Sequence, residues 1–206
     1  MSPTVVLATN NAKKLVELRR LVAEAAADVT VLGLGDLPSY PEPAETERTF
    51  VGNALLKARA CVAATGLPAL ADDSGLVVDV LNGMPGVRSA RWSGPDATDA
   101  SNNVLLLAQL DDVPDEERTA HFEASVALVL PGGRERTTTG RADGRLLRAP
   151  VGENGFGYDP LFVADGQHDS FGVLDAAQKD RVSHRGQAVR AMLPVLLSEL
   201  TKEDRR

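Results

Sequence analysis

Ala71-Asp72-Asp73-Ser74-Gly75-Leu76 carries an apolar lead-in into two adjacent carboxylates and then a small turn pair. Two readings stay open at this point. Paired acids at a strand end suit a metal-and-water site, because neighbouring like charges cost free energy unless a cation or a donor compensates them. Mg²⁺ held by one or two carboxylates plus phosphate oxygens is the usual arrangement. Asp, Ser and Gly are equally the residues of a solvated turn.

The rest of the chain bounds the choice. Its 206 residues suit one sizeable α/β domain or a two-lobed single domain. Hydrophobic residues make up 43%, enough for a real core. No apolar run approaches the ~20 residues that span a bilayer, and no basic region followed by an apolar stretch and a cleavage site opens the chain. A soluble, cytoplasmic protein is therefore expected. A net charge of −7 argues against broad nucleic-acid binding, which rests on Lys and Arg neutralising phosphates, but it leaves room for a local basic pocket. Cys61 is the only cysteine, so neither an internal disulfide nor a cysteine metal cluster can form; it is expected as a small buried hydrophobe.

From the N-terminus, Thr4 to Ala8 is a β-branched and apolar run consistent with a buried strand, ending at Thr9-Asn10-Asn11. Between Lys13 and Ala27 the residues Leu15, Leu18, Leu21, Val22 and Ala25 recur at helical spacing. Amides at such a helix start attract anions, and Lys13 or Lys14 can meet a phosphate as a point charge. Walker-loop glycine spacing is absent, and an Asn helix cap explains the same residues. A second strand is expected near Val29 to Leu32, an exposed loop over Pro38 to Arg48, and a helix over Phe50 to Thr65 with Asn53 in its first turn.

Beyond the acidic pair, Leu76 to Leu81 reads as a strand, Asn82 to Gly86 as a turn cluster, and Trp92 as a core or interface anchor. Thr98 to Leu110 is helical, and Phe122 to Leu130 with Glu135 to Gly140 flank Pro131-Gly132-Gly133 as a hairpin, with His121 structural. A second strong cluster follows at Gly152 to Pro160. Its three glycines allow close backbone approach to a ligand, and Phe156 and Tyr158 could stack a planar base. The alternative is a glycine-rich hairpin with Phe156 turned inward. In the third, Lys179 to Gly186 opens a final amphipathic helix. His184 and Arg185 there oppose the helix dipole, a cost that points to a nearby anion or acceptor.

Taken in order, Ala-Thr-Asn-Asn-Ala-Lys-Lys, Thr-Phe-Val-Gly-Asn-Ala-Leu-Leu-Lys-Ala, Ala-Asp-Asp-Ser-Gly-Leu, Gly-Phe-Gly-Tyr-Asp-Pro and Ser-His-Arg-Gly resemble the inosine triphosphate pyrophosphatase family over nearly the whole chain. The resemblance implies one domain over residues 1–206: an α/β, two-lobed structure around a long central mixed β-sheet flanked by helices, with the substrate cleft between lobes. It implies Mg²⁺-dependent hydrolysis of ITP, dITP and XTP to monophosphate and pyrophosphate, cleansing the nucleotide pool, by a homodimer. By motif, Thr9, Asn10, Asn11, Ala12, Lys13 and Lys14 match the phosphate loop. Asp73 matches the general base and metal ligand, and Ser74 a substrate contact. Phe156, Gly157, Tyr158 and Asp159 match the base-binding segment, and Lys179, His184 and Arg185 the remaining contacts. Glu45 stands where the family carries an acidic metal residue, although Thr46-Glu47-Arg48 departs from the usual Thr-Gly pattern. Asn10 replaces a frequent glycine and Trp92 a frequent tyrosine. The rival readings are a non-catalytic nucleotide-binding or sensing module and a pyrophosphatase for other modified nucleotides.

Overall fold

The computed structural model describes residues 3–24 and 29–203. Among the described residues six strands form one mixed sheet in the order β2-β1-β3-β4-β5-β6: β1 Thr4–Leu7, β2 Thr30–Gly33, β3 Ala69–Val78, β4 Thr119–Val129, β5 Glu135–Leu146 and β6 Phe162–Ala164. β1 is parallel to β2 and to β3, whereas β5 and β6 are antiparallel. The helices are α1 Ala12–Glu24, α2 Phe50–Thr65, α3 Asp99–Gln109, α4 Ala176–Val182 and α5 His184–Glu203. No helix among the described residues is long and apolar enough to cross a membrane.

Contacts group the chain into two compact units, Met1–Asp73 with Ala124–Gly140 and Gln187–Arg206, and Ser74–Glu123 with Arg141–Gly186. In the first, strand alternation sorts side chains to the two faces of the sheet. Val5 and Leu7 of β1, Leu70 of β3 and Ala124, Val126 and Leu128 of β4 pack with Leu18 and Leu21 of α1 and Val189, Met192 and Leu196 of α5. The intervening Val6, Ala8, Ala69, Ala71, Ala127 and Val129 pack with Ala54, Ala58 and Cys61 of α2. Small side chains on this second face let α2 approach closely, and Cys61 is wholly buried there, as expected. In the second unit, Leu76, Val78, Leu106, Leu110, Phe122, Leu161, Phe162 and Phe171 form a core braced by edge-on aromatic contacts, with Phe122 and Phe162 at 4.8 Å. Arg118, fully buried, donates to the carbonyls of Leu110, Leu146 and Leu147, so its charge is spread over backbone acceptors.

Local signals explain where several elements begin and end. Thr49 Oγ1 accepts from the Gly52 amide at 3.1 Å to start α2, and Gly66 ends it in the left-handed region at φ 68°. α2 spans the expected residues. Asn11 Oδ1 accepts from the amides of Lys13 and Lys14, so Asn11 caps α1. The expected extension of this helix through Ala25 to Ala27 lies outside the described residues.

Four expectations need correction. β2 runs one residue later than anticipated. β3 does not turn at Ser74-Gly75; it continues to Val78, and a 3-10 turn at Asp79–Leu81 replaces the end of the strand expected to reach Leu81. β1 pairs with β3 only at Ala69 and Leu70, and the pairing of β3 with β4 overrides the local turn propensity of Asp-Ser-Gly. The hairpin arms are also longer than expected, running through Thr119–Val129 and Glu135–Leu146. Finally, Lys179 does not open the last helix: it belongs to α4, which Asp175 caps and which ends at Ser183 before α5 begins.

Candidate active site

Asp72 and Asp73 are consecutive strand residues, so the pleat sends them to opposite faces of β3. Asp72 shares the face of Leu70 and pairs with Lys14 Nζ of α1 at 2.9 Å. Asp73 shares the face of Ala71 and meets α2 instead: Asn53 Nδ2 donates to Asp73 Oδ2 at 3.0 Å, and Lys57 Nζ lies 3.4 Å from Asp73 Oδ1. The like-charge problem posed by the sequence is thus relieved by separation and by one lysine for each acid. Lys57 Nζ also donates to Glu45 Oε1 at 3.0 Å. Glu45 reaches this position because the loop after β2 is fastened to α2, with the Glu47 amide donating to Asn53 Oδ1 at 3.0 Å.

The electrostatics follow from burial. Asp73 is 6% exposed, and desolvation raises its carboxyl above the ordinary carboxylate range, Glu45 adding to this while Lys57, Lys14 and the Asn53 amide oppose it. Burial alone would lower the Lys57 ammonium, yet Asp73, Asp72 and Glu45 together raise it, so it stays charged. Among the described residues no three or more His, Cys, Asp and Glu side chains gather as a closed metal cage. Mg²⁺ does not need one, since it keeps several waters and takes one or two carboxylates plus phosphates. Asp73 and Glu45 are already arranged around a positive charge, the Lys57 ammonium, and this donor set fits such a cation.

The rest of the expected phosphate loop is placed by α1. Thr9 Oγ1 accepts from the Asn11 amide, Asn10 is exposed, and Ala12 and Lys13 form the exposed first turn of the helix.

In the second unit a separate cluster forms around Phe156. Asp159, 2% exposed, accepts from Lys179 Nζ at 2.6 Å and from the Phe156 amide at 2.7 Å. Gly155 has φ 74°, and a Cβ there would run into Asp159 Oδ2, so the turn requires glycine twice over. Gly157 is also left-handed, at φ 63°, and its carbonyl accepts from Asn103 of α3. The Phe156 ring has Lys179 Nζ 5.0 Å and Arg185 Cζ 5.2 Å from its centroid. Arg185, 2% exposed, donates to Ser74 Oγ at 2.7 Å. His184 stacks flat on Phe122, with centroids 4.6 Å apart and planes at 8°.

Tyr158 does not join Phe156 as a second stacking surface. Its ring is in the core and its hydroxyl donates to the Ser89 carbonyl. Nor is the segment the glycine-rich hairpin that was the alternative, since Gly152 to Asp159 carries no strand. Trp92 is half-buried rather than a core anchor, its indole donating to Gln109 of α3. His121 is buried in β4. Sequence reasoning assigned Lys57 no functional role and left Asn53 open between a helix cap and a functional residue. The available signal was their spacing: residues four apart on a helix share a face.

A family model described as Ham1 family matches residues 5–195 and so runs through both units. A dITP/XTP pyrophosphatase from Nocardia farcinica is 58% identical over 193 residues, covering 93% of this chain and 94% of its own. The crystal structure of a nucleoside-triphosphatase / dITP/XTP pyrophosphatase from Mycobacterium abscessus is similar with TM-score 0.76 and 51% identity, over 93% of this chain and 99% of that one. A HAM1 protein from Coxiella burnetii superposes with TM-score 0.86 at 38% identity, over 95% and 99% of the two chains. The mixed α/β sheet with its flanking helices is the architecture of these structures. The motifs, the sheet and the matched length agree, and the chain belongs to the Ham1 family, the inosine triphosphate pyrophosphatases it resembles in sequence.

Proposed function

We propose that this protein hydrolyses the deaminated purine nucleoside triphosphates ITP, dITP and XTP to monophosphate and pyrophosphate with Mg²⁺, and so clears them from the nucleotide pool. As a Ham1-family enzyme it is a hydrolase, a nucleoside triphosphate pyrophosphatase. The observation that carries the reading is Asp73: a buried, desolvated carboxylate with both oxygens held, beside two lysines. A carboxylate whose pKa is raised toward the operating pH accepts a proton from water effectively. Attack of that water on the α-phosphorus breaks the α–β anhydride and releases pyrophosphate, while Asp73 keeps the proton. Lys14 and Lys57 supply positive charge for phosphate oxygens. Magnesium, which Asp73 and Glu45 would hold, contributes neutralisation of phosphate charge.

Base reading falls to the second unit. Lys179 and Arg185 are donors beside the Phe156 ring, and donors suit the 6-oxo group of hypoxanthine or xanthine. Adenine presents an amino group there, and each donor left unpaired costs about 1–3 kcal/mol. Asn10, Ala12, Lys13, Ser74, Gly157, Asp159 and His184 complete the proposed substrate contacts. The enzyme is taken to act in the cytoplasm as a single-domain homodimer, with no nucleic-acid partner, in keeping with its net charge of −7.

Product analysis tests this reading. Turnover of ITP in ¹⁸O-water should give IMP and pyrophosphate in equal amounts, with the label in IMP. Release of IDP and orthophosphate, or tight ITP binding without turnover as a sensing module would show, contradicts it.

A further inference from the structure

Asn53 is wholly buried in the first turn of α2, whose N-cap is Thr49, and both ends of its amide are engaged. Its Nδ2 donates to Asp73 Oδ2 at 3.0 Å, and its Oδ1 accepts from the backbone amide of Glu47 at 3.0 Å. The amide orientation follows from these partners, since a carboxylate only accepts and a backbone N–H only donates. Asp73 Oδ1 faces Lys57, so the Asn53 bond fixes the second oxygen and with it the plane of the carboxylate. Glu47 is two residues from Glu45, in a segment without helix or strand of its own. One planar group therefore connects the carboxylate of β3 to the loop that carries the second carboxylate.

We infer that Asn53 is a positioning residue that acts through Asp73 and holds the Glu45 loop in register with it. The inference rests on the reading of Asp73 as the base. Asn is the residue this task requires. Asp would lose the donor and set a third carboxylate against Asp73, Leu would lose both bonds, and Gln would carry its amide one methylene too far.

The test is a double-mutant cycle on ITP turnover with hydrogen exchange as a second readout. Asn53→Leu should lower kcat/KM roughly 10- to 100-fold, the scale of a misplaced reacting group. Added to Asp73→Asn, it should change the residual rate by no more than about twofold, because a residue acting through Asp73 has nothing left to act on. The Glu47 amide should exchange roughly tenfold faster in Asn53→Leu, with or without substrate. Asn53→Asp separates the two bonds and serves if the Leu variant does not fold: it keeps the acceptor for Glu47, so exchange there stays as in wild type while kcat/KM falls. Additive losses in the cycle, unchanged Glu47 exchange in Asn53→Leu, or wild-type turnover in Asn53→Asp would each overturn the inference. Wild-type turnover by Asp73→Asn alone would overturn the reading of the base instead, whatever Asn53 does.

Discussion

Lys179→Met would remove the ammonium from a buried pair, and the consequence can be sized from the structure. Lys179 Nζ lies 2.6 Å from Asp159 Oδ2, with side-chain exposures of 8% and 3%. The lysine butylene chain and the methionine side chain are close in volume, so the change leaves little cavity. What it leaves is a desolvated carboxylate whose ammonium has gone, and breaking one side of a buried ion pair costs about 3–5 kcal/mol. For a chain of this length each kcal/mol shifts the melting temperature by about 2–4 °C, so the fall should be roughly 6–20 °C. The double variant Lys179→Met/Asp159→Asn removes both charges, keeps an oxygen for the Phe156 amide, and should recover more than half of the loss. Thermal melts followed by circular dichroism at neutral pH measure both. A Lys179→Met melt within about 3 °C of wild type, or a double variant no more stable than the single, would refute the buried-pair account.

Three further outcomes follow from other parts of the site. Asp73→Asn should keep its circular dichroism spectrum and lose about 10²- to 10⁴-fold in kcat, the usual contribution of a positioned base, as pyrophosphate assays would show. Arg185→Ala should narrow the ITP-to-ATP ratio of kcat/KM, because discrimination is a difference of transition-state energies; a uniform loss on both nucleotides would give Arg185 a phosphate role instead. His121 is held neutral because burial lowers its pKa from the ordinary 6.5, with Arg141 acting in the same sense against Asp143, Asp79 and Glu123. The unfolded chain therefore takes up a proton that the native state resists, so stability falls as pH drops below about 6.5. His121→Gln should remove this loss, and its melting temperature relative to wild type should rise between pH ~8 and pH ~5.

Much of this was legible in the sequence where the cause is local. α2 could be read because Thr49 and Gly66 bracket it, and the Asn11 cap because its acceptor serves amides two and three residues on. The run through Asp72 to Gly75 was not legible in the same way. A stretch of two acids, a serine and a glycine continues as a strand because β3 lies hydrogen-bonded in the sheet next to β4 and because Lys14 and Lys57, from two different helices, supply the charge. Those partners are 58 and 16 residues away, beyond the reach of periodicity. Tyr158 shows the converse. Its place in a glycine-rich motif suggested ligand contact, yet its hydroxyl finds the Ser89 carbonyl 69 residues away, and the ring is spent on the core. Likewise the break at Ser183 moves Lys179 onto its own helix, so the cation needed by Asp159 comes from α4 rather than from the turn of α5 that holds His184 and Arg185.

The central claim is hydrolysis selective for deaminated purines, and a kcat/KM panel for ITP, dITP, XTP and ATP with Mg²⁺, read as pyrophosphate release, tests it most directly. Two donors left unpaired by adenine at about 1–3 kcal/mol each predict a preference for the 6-oxo substrates over ATP of roughly 30-fold to 10⁴-fold. Equal kcat/KM for ATP and ITP, with pyrophosphate released from both, would contradict it.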